Sequence, residues 1–373
     1  MTRDVIIIGG GVIGCTTAWR LAQMGLKVTL IERGQIGCEA SRAAAGMLSP
    51  QGESQTAGPF FDLCLKSRGM YRSFAEEIKD ASGIDVEYRD DGTLFVVLQG
   101  EDEEEKTRWV DWQLKAGLSL ELLSADEARE LEPAVSDSTV RGIFLPEEHQ
   151  VENRLLMDAL AILIKRDGVE VIEGTPVTAI STNNDRVTGV ESHNEKLASG
   201  EVIVAAGTWS GDLLEPIGLN IQVTPARGQM VAVKGALSIK RVLHSSGVYV
   251  VPRNDGRILI GATVEYNGFQ KAVTARGVSK LLGSALELAP ALSGCEIVEM
   301  WSGLRPDTAD HLPVLGPAGL GGLTLATGHF RNGILLAPVT GDLIARYITR
   351  GYRPLELVQF GIERFATNHA MTL

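Results

Sequence analysis

With 373 residues, 44% of them hydrophobic and 22% charged, the chain has the make-up of a globular protein and room for about two domains of ordinary size. Its formal charge of −12 provides no field for nucleic acid or an anionic membrane, and no basic run supplies one locally, so a small molecule is the expected partner. Cys15, Cys38, Cys64 and Cys295 form no C-x-x-C pair, which argues against a zinc site or a disulfide framework and fits a reducing cytoplasm.

The first segment, "VIIIGGGVIGC", has the look of a signal-peptide core ending in a cysteine. It begins Thr2-Arg3-Asp4 instead of a positive leader and carries three consecutive glycines, so it reads as structure and not as a signal. No run of about 18 apolar residues follows elsewhere, and no membrane span is expected. Val5 to Ile8 predicts a buried strand, Gly9 to Gly14 a G-x-G-x-x-G turn, and the next residues an amphipathic helix opened by Val12 and Ile13. A second strand from Lys27 to Ile31 ends at Glu32, which lies 18 positions after Gly14. Gly9 allows the tight turn, Gly11 the approach of a pyrophosphate, and Gly14 the close packing of helix on strand. Glu32 can accept from ribose hydroxyls and disfavours a 2′-phosphate, so NADP is the least expected dinucleotide while FAD and NAD stay open.

Glu39 to Leu48, "EASRAAAGML", predicts a helix start of small residues with Ser41 as its cap. Ile84 to Phe144 holds a strand-like "GTLFVVL", a charged helix, and a capping box of Ser124 with Glu127. "GVEVIEGTPVTAI" predicts two short strands broken by Gly174 and Pro176, and "EVIVAAGTWSGDLL" a strand from Glu201 to Ala205 followed by a short helix. Ile221 to Trp301 alternates in short runs and predicts an antiparallel sheet. After a last strand, "GLTLAT", the cluster "GHFRNGILLAP" leads into a helix from Asn332 or Gly333 to about Thr349, with Asn332 as its N-cap.

The segments "VIIIGGGVIG", "RAAAGML", "VIVAAGTWS", "VYVVPR", "WSGLRPDT" and "GHFRNGILLAPVTG", in that order over nearly the whole chain, resemble the D-amino-acid-oxidase family of FAD enzymes, and within it the glycine oxidases of the thiamin pathway. The resemblance implies an α/β, two-domain flavoprotein. Its discontinuous Rossmann-like FAD domain is expected at 1–83, 145–220 and 302–373, and an antiparallel-sheet substrate domain at 84–144 and 221–301. It implies non-covalent FAD held by Gly9, Gly11, Val12, Ile13, Gly14, Glu32, Arg33, Ser41, Arg42, Ala44, Ala45, Gly46, Met47, Val177, Ala206, Gly207, Trp209, His329, Phe330, Arg331, Asn332, Gly333, Ile334 and Leu335.

For the substrate the resemblance points to Arg305 as the carboxylate fork, Tyr249 as a second donor, and Arg331 either there or near the flavin. An arginine suits this task because two charge-assisted bonds fix both the charge and the position of Cα. Arg305 is expected in a rigid turn between Gly303, Leu304 and Pro306. Ser49, Gln51 and Val264 are weaker pocket candidates; His244 has a vaguer claim still. The implied reaction is hydride transfer from the glycine Cα to flavin N5, an imine that hydrolyses to glyoxylate and ammonia, and reoxidation by O2 to hydrogen peroxide. No metal is required. A homo-oligomer, up to a tetramer, is implied as well. Open alternatives are an N-methylglycine oxidase, a D-amino-acid dehydrogenase and an inert flavin-binding protein; a tRNA-modifying role lacks the basic groove it needs.

Overall fold

Strands Val5–Ile8 and Val28–Ile31 are apolar at every position but one and buried on both faces, the pattern of central parallel strands covered by helices. The computed structural model describes residues 3–193 and 195–369. In it these two strands are interior strands of a six-stranded sheet ordered Val314–Pro317, Leu323–Thr327, Val202–Val204, Val5–Ile8, Val28–Ile31, Glu170–Ile172. Every neighbouring pair is parallel except the first, which is antiparallel. Ile6 pairs with both Val202 and Thr29, so residues almost 200 positions apart in the chain form adjacent strands.

Helices Val12–Gln23, Pro59–Ser82, Asn153–Arg166 and Gly333–Arg350 share one core around Trp19, Tyr71, Phe74, Leu160 and Ile344. The first and last of these cross closely: a Cβ on Gly341 would come within 2.7 Å of Thr16 Cγ2. Tyr71 and Ser67 donate from the Pro59–Ser82 helix to the carbonyls of Ile334 and Leu335, tying down the start of the last helix.

A second sheet has eight strands in the order Glu296–Thr308, Val223–Lys234, Arg257–Gly261, Tyr249–Pro252, Val242–His244, Thr93–Leu98, Thr139–Leu145, Glu121–Ser124. The alternation read from the sequence separates its two faces. Val231, Val233, Val250 and Ile258 pack on the amphipathic helix Ala275–Leu288, while Met230, Ala232, Val251 and Leu259 face the other way with Ala45.

Several expectations need correction. The sheet is not wholly antiparallel, because Val242–His244 runs parallel to Thr93–Leu98 where the two sequence blocks join. Boundaries expected at 144/145 and 301/302 fall inside the strands Thr139–Leu145 and Glu296–Thr308. The expected helix after Glu39 lasts only from Ala40 to Ala43; Ala44 is extended, and Met47–Leu48 pairs with His149–Gln150. Ser41 caps a different helix, its Oγ accepting from the amide of Val12 at 2.9 Å. Arg305 is in no turn. It sits well inside the 13-residue strand Glu296–Thr308, opposite Ala226, and Pro306 is tolerated because this strand is at the sheet edge. Asn332 is the residue before the helix Gly333–Arg350, yet its side chain makes no capping bond.

Candidate active site

One cavity of about 530 Å³ runs between the two sheets, from the glycine turn to Tyr249 and Arg305. At its first end Gly9 has φ of 108°, open to glycine and strained for other residues. A Cβ on Gly14 would overlap the Gly9 carbonyl oxygen, so turn and helix can close only with glycine at both places. Glu32 is buried, and its two oxygens accept from the amides of Gly10 at 2.7 Å and Gly34 at 2.8 Å. Its carboxylate braces the turn as well as lining the cavity. Arg33 lies over the Trp209 ring at 4.3 Å, and Trp209 stacks on Phe269, which makes a flat, cationic wall nearby.

The middle wall is built from small residues because other groups approach it. A Cβ on Gly303 would come within 2.5 Å of Ala43 Cβ, and Gly46 has φ of 69°. Buried Arg253 fastens this wall, donating to the Ala45 carbonyl at 2.6 Å and the Val151 carbonyl at 2.9 Å while pairing with Glu152 at 3.1 Å. Opposite, His329 is buried with Nε2 3.1 Å from Thr340 Oγ1. Burial pushes its pKa down to about 3, so it is a neutral wall residue at pH 7. Phe330 takes φ of 45° in the short 3-10 turn Phe330–Asn332, which aims the helix Gly333–Arg350 at the cavity. The Asn332 side chain does not cap that helix, leaving its positive dipole end for a ligand.

At the far end Arg305 Nη1 donates to the Thr263 carbonyl at 3.1 Å, and among the described residues it pairs with no carboxylate. Its guanidinium lies over Gly228, where a Cβ would come within 2.5 Å of Cζ. The Tyr249 hydroxyl donates to Met230 Sδ at 3.3 Å; burial raises its pKa, with Arg305 and Arg331 acting against the rise. Arg331 Nη1 donates to Glu53 Oε2 at 3.1 Å, and both residues line the cavity. His244 stacks on Phe95 at 4.5 Å and has its pKa pushed down to about 4 by burial.

The remaining expected cofactor residues line the cavity, as do Ser49 and Val264, except for the cofactor candidates Gly14, Arg42 and Leu335 and the pocket candidate Gln51. Gly14 lies behind the turn and acts through packing. Arg42 turns away to Asp158 at 2.5 Å. Leu335 is a core side chain. Gln51 is fully buried elsewhere, its amide group donating to Gln113 and to the Ser119 carbonyl. Glu53, Met230, Gly228 and Gly261 are cavity residues that sequence reading missed. The two glycines did carry a signal, since each sits in a strand pattern, where glycine marks a close approach.

Two buried groups beside this architecture shift in opposite directions and contribute to its pH response. His329 has a folded pKa of about 3 against 6.5, so its contribution is complete above 6.5 and is lost as pH falls towards 3. Glu148, fully buried, is pushed up by burial from 4.5 to about 8, so its contribution is present below 4.5 and lost as pH rises through 8. Thermal melts across pH should therefore show Tm falling on both limbs. Glu148→Gln should flatten the alkaline limb; an unchanged limb would count against Glu148 as its source.

The model of the FAD dependent oxidoreductase family, DAO, matches residues 4–347. The chain belongs to this family. It is 36% identical to the glycine oxidase of Pseudomonas aeruginosa over 92% of this chain and 94% of that one. It is 37% identical to the bifunctional protein ThiO/ThiG of Trichormus variabilis, covering 100% of this chain but 56% of that protein; the chain thus spans about half the length of its bifunctional relatives. The crystal structure of glycine oxidase from Geobacillus kaustophilus superimposes with a TM-score of 0.93 at 34% identity, covering 97% of this chain and 99% of that one. FAD, on which the DAO family depends, fits the residues present. The glycine turn has no room for side chains at Gly9 and Gly14, Thr208 lines the cavity with a buried hydroxyl that has no partner among the described residues, and a helix N-terminus opens into it without a capping bond from Asn332.

Proposed function

We propose that this chain oxidises glycine, and other small amines such as N-methylglycine or small D-amino acids, using non-covalent FAD and O2. The observation that carries the reading is one cavity joining the dinucleotide turn to a guanidinium that pairs with no carboxylate among the described residues, Arg305, beside the Tyr249 phenol. Bound FAD would supply the electron-accepting chemistry that turns amine and O2 into imine and H2O2, the imine then taking up water to give glyoxylate and ammonia. The protein's own tasks are positioning and exclusion of water. Arg305 binds the substrate carboxylate through two charge-assisted bonds, and Tyr249 adds a donor. Gly333 and Ile334 bring the positive end of their helix to the cavity, where it favours negative charge.

Among the described residues no cysteine lines the cavity, and Cys295 packs beside Gly235, which supports non-covalent attachment. Within this reading 1–83, 145–220 and 302–373 serve FAD while 84–144 and 221–301 serve substrate, with the strands across 144/145 and 301/302 coupling the two parts. A cytoplasmic homo-oligomer supplying an oxidised glycine for thiazole formation completes the proposal; its support is the likeness to ThiO/ThiG and four unpaired cysteines. No described helix is long and apolar enough to cross a membrane.

The purified protein should be yellow, release FAD on acid precipitation, and consume O2 with glycine in a panel that includes N-methylglycine, D-alanine and D-proline. Flavin that stays on the denatured chain, or no turnover with all four despite a full FAD complement, would overturn the reading. Gly228→Ala should push the Arg305 fork off its seat and raise KM for glycine about tenfold with FAD content intact. An unchanged KM would show that the fork does not depend on that space.

A further inference from the structure

Two guanidinium groups face the substrate end, but a glycine-sized substrate has one carboxylate. Arg305 and Arg331 both line the cavity, and both act on the same two phenols, Tyr249 and Tyr266. Their pairing differs. Arg305 has no carboxylate partner among the described residues, whereas Arg331 already holds Glu53 at 3.1 Å. One anion position is open and the other is filled by the protein. The filled one lies nearer solvent, with the Arg331 side chain 44% exposed and that of Glu53 18% exposed.

Glu53 is held at this position. It ends the short helix Pro50–Glu53, whose Gln51 amide donates at 2.7 Å to the buried carboxyl of Glu148. The nearby Tyr249 phenol, Met230 and the ring of His244 add no negative charge, and among the described residues Glu53 is the acidic side chain of the cavity that pairs with Arg331.

We propose that the Glu53–Arg331 pair is a specificity device, by which the protein occupies with its own carboxylate the guanidinium that would otherwise seat a second acid group on the substrate. The inference rests on the amine-oxidase reading and deepens it. Mono-acid amines seat their carboxylate on Arg305 and leave the pair alone. An N-substituted glycine carrying a second carboxylate brings that group to a guanidinium already neutralised, with a like charge alongside, and is disfavoured.

The test uses FAD-loaded protein and measures the Kd of glycine and of N-(carboxymethyl)glycine by flavin absorbance titration and calorimetry, with kcat/KM for both alongside. Glu53→Gln keeps the shape and removes the charge. It should shift the ratio of the two Kd values about tenfold towards N-(carboxymethyl)glycine. Glu53→Asp should stay near the wild-type ratio, and the double variant E53Q/R331Q should lose the gain, which should also shrink with added salt. A ratio that does not move in E53Q, or that moves equally in the double variant, overturns the proposal. Binding is read without turnover, so a protein that binds both amines with the expected shift but oxidises neither would overturn the oxidase reading alone. Should E53Q lose its flavin, Glu53→Ala in the same titration decides by the same ratio.

Discussion

Replacing Arg305 with Ala is expected to lower kcat/KM for glycine by about a hundredfold or more, most of it in KM, while FAD content stays at the wild-type level. Removing one partner of a desolvated carboxylate–guanidinium pair costs on the order of 3 kcal/mol, and here nothing nearby can take over. Tyr249 offers one neutral hydrogen bond, and Arg331 is engaged with Glu53. The fork is placed by strand geometry: position 305 faces Ala226 in a regular ladder, its Nη1 is held by the Thr263 carbonyl, and Gly228 leaves room above the backbone for the flat group. Arg305→Lys should recover only part of the loss, because an ammonium restores charge without the two-pronged geometry that orients Cα. Steady-state kinetics with flavin content measured on the same samples checks this. A KM for glycine unchanged in Arg305→Ala would remove Arg305 from the substrate site and with it the main support for an amino-acid substrate.

How legible these features were in the chain depended on how local their causes are. The turn from Gly9 to Gly14 and the acid at Glu32 could be read because strand, turn, helix and strand follow within about thirty residues, each demanded by its neighbours. The alternation that splits Met230, Ala232 and Leu259 from Val231, Val233 and Ile258 was legible for the same reason. What failed was anything decided across the chain. Ser41 has the chemistry of a cap, but which helix it caps depends on a contact with Val12, 29 positions away. Arg305 between glycine and proline suggests a turn, yet 12 residues of Val223–Lys234 pair along the strand and hold it straight. Ser49 and Gln51 are both pocket candidates in the sequence, but a short helix sends the two side chains to different places. Glu53 carries no local signature, since its meaning comes from Arg331, 278 positions on.

Gly14→Ala should yield protein that purifies largely colourless, with FAD affinity reduced about a hundredfold or more. Gly14 belongs to the first turn of the helix Val12–Gln23, and an added Cβ would overlap the Gly9 carbonyl oxygen while meeting Ala205 Cβ at 3.5 Å. Neither neighbour can yield easily. Gly9 is fixed at φ of 108° with Ala205 and Ala206 packed against it, and Ala205 continues a central strand of the sheet. The helix must therefore move off the first strand, and its amides move with it from the place where the pyrophosphate would be seated. Overpacking of this kind also costs on the order of 1–3 kcal/mol of stability, so loss of colour alone could reflect a damaged fold. Gly25→Ala separates the two effects. It also has a positive φ, 85°, but nothing lies within 4 Å of its added Cβ, so it should lower Tm slightly and keep FAD. If titration with excess FAD restores Gly14→Ala to wild-type affinity, the close approach of Gly14 to Gly9 is not what shapes the cofactor turn.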